Sequence, residues 1–486
     1  MYFKKQISLT LSLLLLCTSS LFSQIILPKI LGHNMVLQQQ KKVPVWGTAT
    51  AGEKITVTFA NQTKTTVANQ SGNWSVKLNA MKASFAPREM TIKGKTTIVL
   101  KNILVGEVWL CSGQSNMEYA MRKYSDYKTK TKGYHPPEDD LNNANNTNIR
   151  IFLDRRKYMD PSPEHLGWDA AMGKPLVDFS AVGYYFAKDL YAKLNVPIGM
   201  ISAAVPGSRI EPWIESSKLE IEPKLKNGKI LDKLSNDGGD PGKFYDTMIQ
   251  PLIPFALKGM LWYQGESNCF LGENIRYAYK LKTLIKSWRS DWQDKKLPFY
   301  FVQIAPYNYS ASKDRPLNTE TLPEFWEAQK LALNLKNTAT VTITDLVDTI
   351  SELHPGYKWE IGRRLSLVAA NKAYNQKNVV YSGPVFQKMT IINNTIEVSF
   401  SNTGNGLTSR DEKPLDWFSI AGADGKFVSA KAAIKDNKVI VSSSEIQHPY
   451  EVRFGWNEAA QSNFINKEGL PAVPFRSDNA WEKLFK

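Results

Sequence analysis

Three regions of the chain differ in how apolar and polar residues alternate. In residues 24–100, every second position is apolar over short runs such as Lys54–Phe59 and Trp74–Leu78, and turns rich in Gly and Asn separate the runs. This spacing predicts an antiparallel β-sandwich module. Residues 379–486 return to the same spacing, for example in Thr395–Phe400, and predict a second β-rich module.

Between these modules, residues 101–378 alternate short apolar runs with amphipathic stretches of helical period. The predicted strands are Leu104–Leu110, Ile198–Ala204, Leu257–Trp262, Phe299–Ile304 and Ala339–Thr344. The predicted helices are Ser180–Leu194, Asn274–Trp292, Pro323–Leu335 and Tyr357–Ala373. Regular alternation of strand and helix favours an α/β architecture, with a mostly parallel sheet and helices on both faces. The polar residues 124–170 predict loops over the carboxyl edge of that sheet.

The first predicted strand of the α/β region runs into a small polar turn, Gly113–Asn116, that presents Ser115. Open α/β sheets bind their ligands at the carboxyl ends of their strands. A serine hydroxyl at this edge is a candidate nucleophile, provided that a base and oxyanion donors lie nearby. The alternative is a serine that caps the following helix.

A general base can be sought among the five histidines of the chain. His33 and His448 fall in the β-rich modules, and His135 and His165 fall in the polar insertion. His354 instead lies between the last predicted strand and the last predicted helix of the α/β region, at the same edge as the serine. Because an unperturbed imidazole has a pKa of ~6.5, His354 is the candidate base.

Two further polar segments follow predicted strands. Val205–Trp213 contains Gly207, whose missing side chain lets a backbone N–H approach a ligand closely. Tyr263–Asn268 places amide and carboxylate groups in one short loop. Each segment alone is an ordinary turn, but together with the serine and the histidine they bring four candidate groups to one edge of the sheet.

At 486 residues, 42% of them hydrophobic, the chain is long enough for two to four folded domains. Residues 1–23 predict a signal peptide, with two lysines before the apolar run Leu9–Cys17 and the small Ser23 at the cut. The run is too short to span a membrane. We expect export to the periplasm or the extracellular space, without a lipid on Cys17 because the bulky Leu16 precedes it.

The formal net charge is +15 at pH 7, of which two charges belong to lysines of the signal peptide. The other basic residues are scattered, which argues against nucleic acid as a partner and is compatible with acidic glycans. The sequence has neither paired histidines at helical spacing nor a Cys-x-x-Cys motif, so we expect no metal and no cofactor. Cys111 and Cys269 each adjoin a candidate motif, and both a disulfide and two free thiols are compatible with the sequence.

On these motifs, the chain resembles the sialate O-acetylesterases of the SGNH hydrolase superfamily over essentially its whole length. The segments that carry the resemblance are Met35–Gly47, Gly106–Met117, Phe179–Leu190, Gly207–Trp213, Trp262–Asn268, His354–Leu365 and Gly469–Asp478. The resemblance implies a flavodoxin-like three-layer α/β sandwich with its site residues in separate loops. It implies that Ser115 is the nucleophile, that His354 is the base, and that the Gly207 backbone and the Asn268 side chain stabilise an oxyanion. Gln264 is the alternative to Asn268, because the marker asparagine of the superfamily lies in a shorter loop motif.

Four further residues of these loops are expected to line the substrate-binding site: Arg209, Trp213, Gln264 and Glu266. The alternative for these residues is packing within the loops, for example a structural ion pair of Arg209 with Glu211 or Glu266.

The chain departs from the superfamily at the residue that orients the base. Many members carry an aspartate three residues before the histidine, where this chain has Ser351. Close relatives often read Asp-Ile-His-Pro where this chain reads Glu-Leu-His-Pro, which makes Glu352 a candidate third catalytic residue. Asp345, Asp348 or a backbone carbonyl are the alternatives, and a carbonyl leaves a catalytic dyad.

The expected function is therefore a secreted carbohydrate O-acetylesterase that removes acetyl groups from O-acetylated sugars, with sialic acids as the first candidate substrate. Acetylated xylan or a pectin-type polysaccharide is the alternative substrate. A protein of another class, a glycan-binding protein without catalytic activity, is the second hypothesis. The sequence leaves the sugar, the acetyl position and the oligomeric state open.

Overall fold

The computed structural model of the protein describes residues 24–125, 137, 140–154, 167–225, 239–313, 315–478 and 481–485. The predicted signal peptide, residues 1–23, lies outside the described residues, as does part of the polar insertion. None of the helices in the described part of the chain is long and apolar enough to cross a membrane.

The N-terminal region is rich in strands, and several of the shorter ones show the predicted alternation. The strands are β1 (Val36–Gln38), β2 (Val43–Thr48), β3 (Lys54–Phe59), β4 (Gln62–Val67), β5 (Asn73–Leu78), β6 (Ser84–Lys93) and β7 (Thr97–Gly113). In β5 the burial alternates strictly, because Trp74, Val76 and Leu78 face the core while the residues between them face solvent. The long β7 pairs with β6 in its first half and enters the central sheet in its second half, so it crosses the predicted boundary at residue 100.

The central sheet lies at the heart of the α/β region, and the mixed α/β class predicted from the sequence is confirmed. Its other strands are β8 (Asn146–Asp154), β9 (Trp168–Ala171), β10 (Ile198–Ala204), β11 (Gly259–Tyr263), β12 (Phe299–Val302) and β13 (Thr338–Val341). The strand order is β13-β12-β11-β7-β10-β8-β9. All neighbours are parallel except β9, which runs antiparallel to β8.

Helices connect these strands. They are α1 (Ser115–Glu118), α2 (Met121–Ser125), α3 (Asp140–Asn143), α4 (Gly173–Val177), α5 (Ala181–Leu194), α6 (Ser216–Ile221), α7 (Glu266–Cys269), α8 (Ile275–Asp291), α9 (Thr321–Leu331), α10 (Lys358–Lys372) and α11 (Trp481–Leu484). The α5 helix shows why the chain is helical there: the Ser180 side chain caps its start by accepting from the Gly183 N–H. Its end is marked by Asn195 in the left-handed conformation.

The prediction of loops for the whole of residues 124–170 was wrong for Asn146–Asp154. This segment is β8, an inner strand of the central sheet that pairs in parallel with β10. Its apolar run is only five residues long and is interrupted by Arg150, whose guanidinium donates to backbone carbonyls at the strand's start and in the N-terminal region. A charged residue inside a short strand therefore concealed the strand's apolar pattern.

The C-terminal region is rich in strands, as predicted, and it has a hydrophobic core of its own. The strands are β14 (Val385–Ile392), β15 (Thr395–Ser401), β16 (Leu407–Ser409), β17 (Phe418–Ala421), β18 (Phe427–Ser429), β19 (Lys431–Lys435), β20 (Lys438–Ser442), β21 (Glu451–Phe454), β22 (Phe464–Asn466) and β23 (Phe475–Arg476). Six phenylalanines lie in or against that core and contact one another: Phe386, Phe400, Phe418, Phe454, Phe464 and Phe475. Ion pairs such as Arg476–Glu327 tie this region to α9.

The strand register places the functional loops beside one another. Gly113, the last residue of β7, lies level with Ala204 at the end of β10 and with Tyr263 at the end of β11. Because all three strands are parallel, the segments that follow them leave the sheet at the same edge. The turn that carries Ser115 therefore lies between the two polar segments that follow β10 and β11.

Candidate active site

The serine turn is shaped by a close approach between two strands. Gly113 has φ +142°, and a Cβ at this position would lie 2.1 Å from the Tyr263 carbonyl oxygen. Only glycine fits that contact and that backbone conformation. The next residue, Gln114, donates its N–H to the same carbonyl, 3.0 Å away, and α1 begins directly afterwards at Ser115. The end of β7 is thus fixed to β11 immediately before the candidate nucleophile.

The structure brings Ser115 and His354 together. Ser115 Oγ and His354 Nε2 are 2.8 Å apart, which is hydrogen-bond distance. Both residues are half-buried, and His354 lies in the irregular segment 342–357 between β13 and α10. A base in contact with a hydroxyl oxygen that remains partly accessible is the arrangement needed to activate a serine for attack on a substrate.

The surroundings of His354 favour the neutral imidazole. Burial, reinforced by the positive charges of Lys358 and Lys123, lowers the pKa of His354 to about 4. At neutral pH the ring is therefore uncharged and able to accept a proton from Ser115 Oγ through Nε2. A base of this kind is ready for proton transfer without first losing a proton to solvent.

The two predicted oxyanion donors lie in different environments. Gly207 is exposed, has φ +73°, and accepts a hydrogen bond from the Ser267 hydroxyl through its carbonyl. Asn268 is fully buried, and its Oδ1 accepts from the Ile210 N–H at 3.0 Å and from Gln264 Nε2 at 2.8 Å. Its Nδ2 donates to Glu211 Oε2 at 3.1 Å.

The four side chains predicted to line the substrate site are buried beneath the loops. Gln264 contacts Asn268 and Tyr277, and Arg209 packs against the Gly239 backbone. Trp213 donates its indole N–H to Ser208 and packs edge-on against Trp262. Glu266 accepts from the residue after the serine. Contact with a sugar stays a prediction for all four buried side chains, those of Arg209, Trp213, Gln264 and Glu266.

The acids near His354 already have other neighbours. Asp345 forms ion pairs with Arg364 and Arg410, and Asp348 accepts a 2.5 Å hydrogen bond from the Tyr357 hydroxyl. Among the described side chains, no hydrogen bond joins Glu352 to His354. Burial and the charge of Asp348 raise the pKa of Glu352. The orienting role of Glu352 stays a prediction.

Two residues at the centre of the site were missed by the sequence interpretation. Asn116 follows the candidate nucleophile, and Lys358 is the first residue of α10, four residues after His354. Both are completely buried, and Lys358 Nζ donates to Asn116 Oδ1 at 2.5 Å. The available signal was that Asn116 directly follows Ser115 and that Lys358 lies close to His354 in the chain, but the contact between Asn116 and Lys358 spans 242 residues.

The cysteines are both free thiols. Cys111 and Cys269 are buried, and burial raises the pKa of the Cys111 thiol to about 12. Of the two arrangements compatible with the sequence, the structure has the one without a disulfide. Within the described ranges, no cluster of three or more His, Cys, Asp or Glu residues suited to a metal ion occurs.

Comparison with known proteins identifies the class. A carbohydrate acetylesterase of Xanthomonas citri has the same fold, with a TM-score of 0.82 and 32% sequence identity, over 94% of this chain and 100% of that one. The fold, the Ser115–His354 contact and this similarity define a carbohydrate esterase.

The family follows from the sequence comparison. Residues 105–369 match the family described as "Carbohydrate esterase, sialic acid-specific acetylesterase", and the chain belongs to this family, as its resemblance predicted. Human sialate O-acetylesterase is 27% identical over 400 residues, covering 74% of this chain and 73% of its own. A probable carbohydrate esterase of Arabidopsis thaliana is 27% identical over 271 residues, covering 54% of this chain and 89% of its own.

Proposed function

We propose that this carbohydrate acetylesterase is an exported serine esterase that removes acetyl groups from O-acetylated sialic acids. The observation that carries the serine mechanism is the 2.8 Å contact between Ser115 Oγ and His354 Nε2. The flavodoxin-like three-layer arrangement of SGNH hydrolases is part of this proposal, and the match to the Xanthomonas citri enzyme over nearly the whole chain supports it.

The reaction begins with attack of Ser115 Oγ on the acetyl carbonyl carbon while His354 Nε2 takes the hydroxyl proton. The tetrahedral oxyanion accepts hydrogen bonds from the backbone N–H groups of Ser115 and Gly207 and from the Asn268 amide. When the C–O bond to the sugar breaks, the imidazolium gives its proton to the departing sugar oxygen. His354 then deprotonates a water that attacks the acetyl-serine, and acetate leaves as Ser115 regains its proton.

The choice of an acidic sugar rests on the charges around the base. Lys123 is exposed and its charge lowers the pKa of His354, and the chain without residues 1–23 keeps a formal net charge of +13, which is +15 less the two lysines of the signal peptide. An exposed ammonium beside the acetyl site suits the carboxylate of a sialic acid better than a neutral xylan backbone. Acetylated xylan and pectin-type polysaccharide are the competing substrates, and the names of the plant and Xanthomonas citri relatives leave the sugar unspecified.

Acetate release tests both levels of the proposal. Wild-type protein is assayed on 4-nitrophenyl acetate and on O-acetylated sialosides, acetylxylan and acetylated pectin fragments, with Ser115→Ala as the matched variant. We expect release from the activated ester by the wild type, loss in Ser115→Ala, and the highest kcat/KM on sialosides. An inactive wild type that still binds glycans establishes the non-catalytic alternative instead.

A surface variant separates substrate choice from chemistry. Lys123→Ala should raise KM for O-acetylated sialosides several-fold and leave KM for neutral acetylxylan unchanged, because only the sialoside carries a carboxylate. Equal KM changes on both substrates would remove the support for an acidic sugar while leaving the esterase mechanism intact. Export is tested separately, by following cleavage of residues 1–23 when the full chain is expressed in a bacterium with a periplasm.

A further inference from the structure

Asn116 links the serine turn to the loop that carries the base. It is fully buried, and its Nδ2 donates to the Leu353 carbonyl at 3.0 Å and to Glu266 Oε1 at 2.5 Å. Leu353 directly precedes His354, just as Asn116 directly follows Ser115. Two adjacent residues on one segment therefore contact two adjacent residues on the other, and the two contacts close a ring around the site.

The opposite side of the Asn116 amide is held by a buried cation. Lys358 Nζ donates to Asn116 Oδ1 at 2.5 Å and lies 4.8 Å and 5.4 Å from the ring centres of Tyr119 and Tyr263. A fully buried ammonium loses its hydration, and at the first residue of a helix it is also disfavoured by the helix dipole. Burial accordingly lowers the pKa of Lys358 to about 7, although Glu266 and Glu352 oppose the shift.

This arrangement fixes the orientation of the amide. In its protonated form Lys358 is a pure donor and faces Asn116 Oδ1, whereas the Leu353 carbonyl and the ionised Glu266 only accept and face Nδ2. If the amide were flipped, its oxygen would face the acceptor oxygens of Glu266 and Leu353, and both hydrogen bonds would be lost. The contacts also join four separate parts of the chain: the turn after β7, α7, the loop before α10 and α10 itself.

We propose that Asn116, held by Lys358 and Glu266, is a positioning residue that fixes the His354 loop against the Ser115 turn. The proposal rests on the proposed roles of Ser115 and His354. The loop 342–357 has no regular helix or strand to hold it, so its position depends on side-chain ties of this kind. A shift of about 1 Å in a reacting group lowers the rate of reaction by as much as 10²-fold.

Lys358 also acts on the charge of the base. The ionisable groups that act on it or contact it are Glu266, Glu352, Lys123, Tyr119 and Tyr263, and its own charge acts on His354. A variant that removes this charge but keeps the contacts of Asn116 is therefore distinguishable from a purely structural change. In such a variant the acid limb of the pH–rate profile moves to higher pH.

Substitutions of Asn116 and Lys358 test the proposal on 4-nitrophenyl acetate. Asn116→Ala should lower kcat on the order of 10²-fold with KM changed less than about twofold. Lys358→Gln retains a donor for Asn116 and should keep more of kcat than Lys358→Met, while both raise the pH midpoint of the acid limb. Lys280→Met, which removes another buried lysine, should lower thermal stability without moving that midpoint.

The outcomes are distinguishable from failure of the proposed function. An inactive wild type, or an active Ser115→Ala, overturns the esterase mechanism itself. Only the positioning role is overturned if the wild type is active, Ser115→Ala is inactive, and Asn116→Ala is folded with wild-type kcat. If Asn116→Ala does not fold, the two Lys358 variants decide. The positioning role is overturned if Lys358→Gln and Lys358→Met have the same kcat and both keep the wild-type midpoint of the acid limb. Circular dichroism and thermal melting establish which variants are folded.

Discussion

Glu211 Oε2 accepts a hydrogen bond from Asn268 Nδ2, and this contact fixes the direction of an amide below the serine turn. The opposite side of the amide is fixed by the Ile210 N–H and by Gln264 Nε2, which both donate to Asn268 Oδ1. Glu211 is held in turn by Lys280, a buried ion pair at 2.7 Å. One Nδ2 hydrogen points to Glu211, and the proposed oxyanion role of Asn268 requires the second.

Asn268→Ala should lower kcat by about 10²–10³-fold, because it removes one oxyanion donor, while KM changes little. Steady-state kinetics on 4-nitrophenyl acetate measure this loss. Asn463→Ala is the matched control, since Asn463 is also buried and donates to Asp411 and Pro414 in the C-terminal region. The control should lose stability and retain kcat. A loss of kcat below about threefold in Asn268→Ala would exclude this amide from the oxyanion site.

The acid limb of kcat/KM should have its midpoint near pH 4. His354 acts as a base only when neutral, and its pKa is lowered to about 4, so activity rises through that pH and levels off above it. An unperturbed histidine would place the limb at ~6.5. Initial rates between pH 3 and 7 measure the midpoint, with circular dichroism to show that the protein stays folded. A midpoint near 6.5 would contradict the effect assigned to burial and to the two lysines.

Much of the fold was readable from the sequence because the inner strands are short apolar runs that end in polar turns. Ile198–Ala204 was predicted with its observed bounds, and α5 was predicted to within one residue at its start. The strand β8 was missed since Arg150 interrupts its apolar run. Periodicity detects a strand when one face or both are apolar, and a charged residue that is buried through backbone contacts removes that signal.

The site was readable only in part, for a physical reason. Ser115 and His354 have chemistry that is recognisable in isolation, at the ends of predicted strands. Asn116 and Lys358 have ordinary side chains that gain importance from burial and from contacts across 242 residues. Trp213 shows the converse: a tryptophan in a polar loop was expected to line the substrate site, and the structure packs it against Trp262.

Glu352→Gln should change kcat less than about threefold. The described structure has no hydrogen bond between Glu352 and His354, and an acid acts on the base chiefly by fixing its tautomer through such a bond. The same assay on His354→Ala gives the reference for complete loss of the base. A fall of 10²-fold or more in Glu352→Gln, with a shifted acid limb, would instead make Glu352 the third catalytic residue.

Trp213→Ala should destabilise the protein by about 3–5 kcal/mol, because it removes a fully buried indole. Its ring packs against Trp262 and Phe244, and its N–H donates to Ser208 at 3.0 Å, so the substitution leaves a cavity and removes one hydrogen bond from the Ser208 hydroxyl. Urea unfolding followed by fluorescence or circular dichroism measures the loss.

The exposed Trp417 offers the matched control for this substitution. It is 39% exposed in the C-terminal region, and Trp417→Ala should change stability by about 0.5 kcal/mol or less. KM for acetylated sugars distinguishes the two roles of Trp213. If Trp213→Ala raises KM strongly and leaves the unfolding midpoint unchanged, the indole lines the substrate site, as expected from the sequence. A lowered midpoint with KM unchanged in the folded fraction establishes that it packs the core beneath the site.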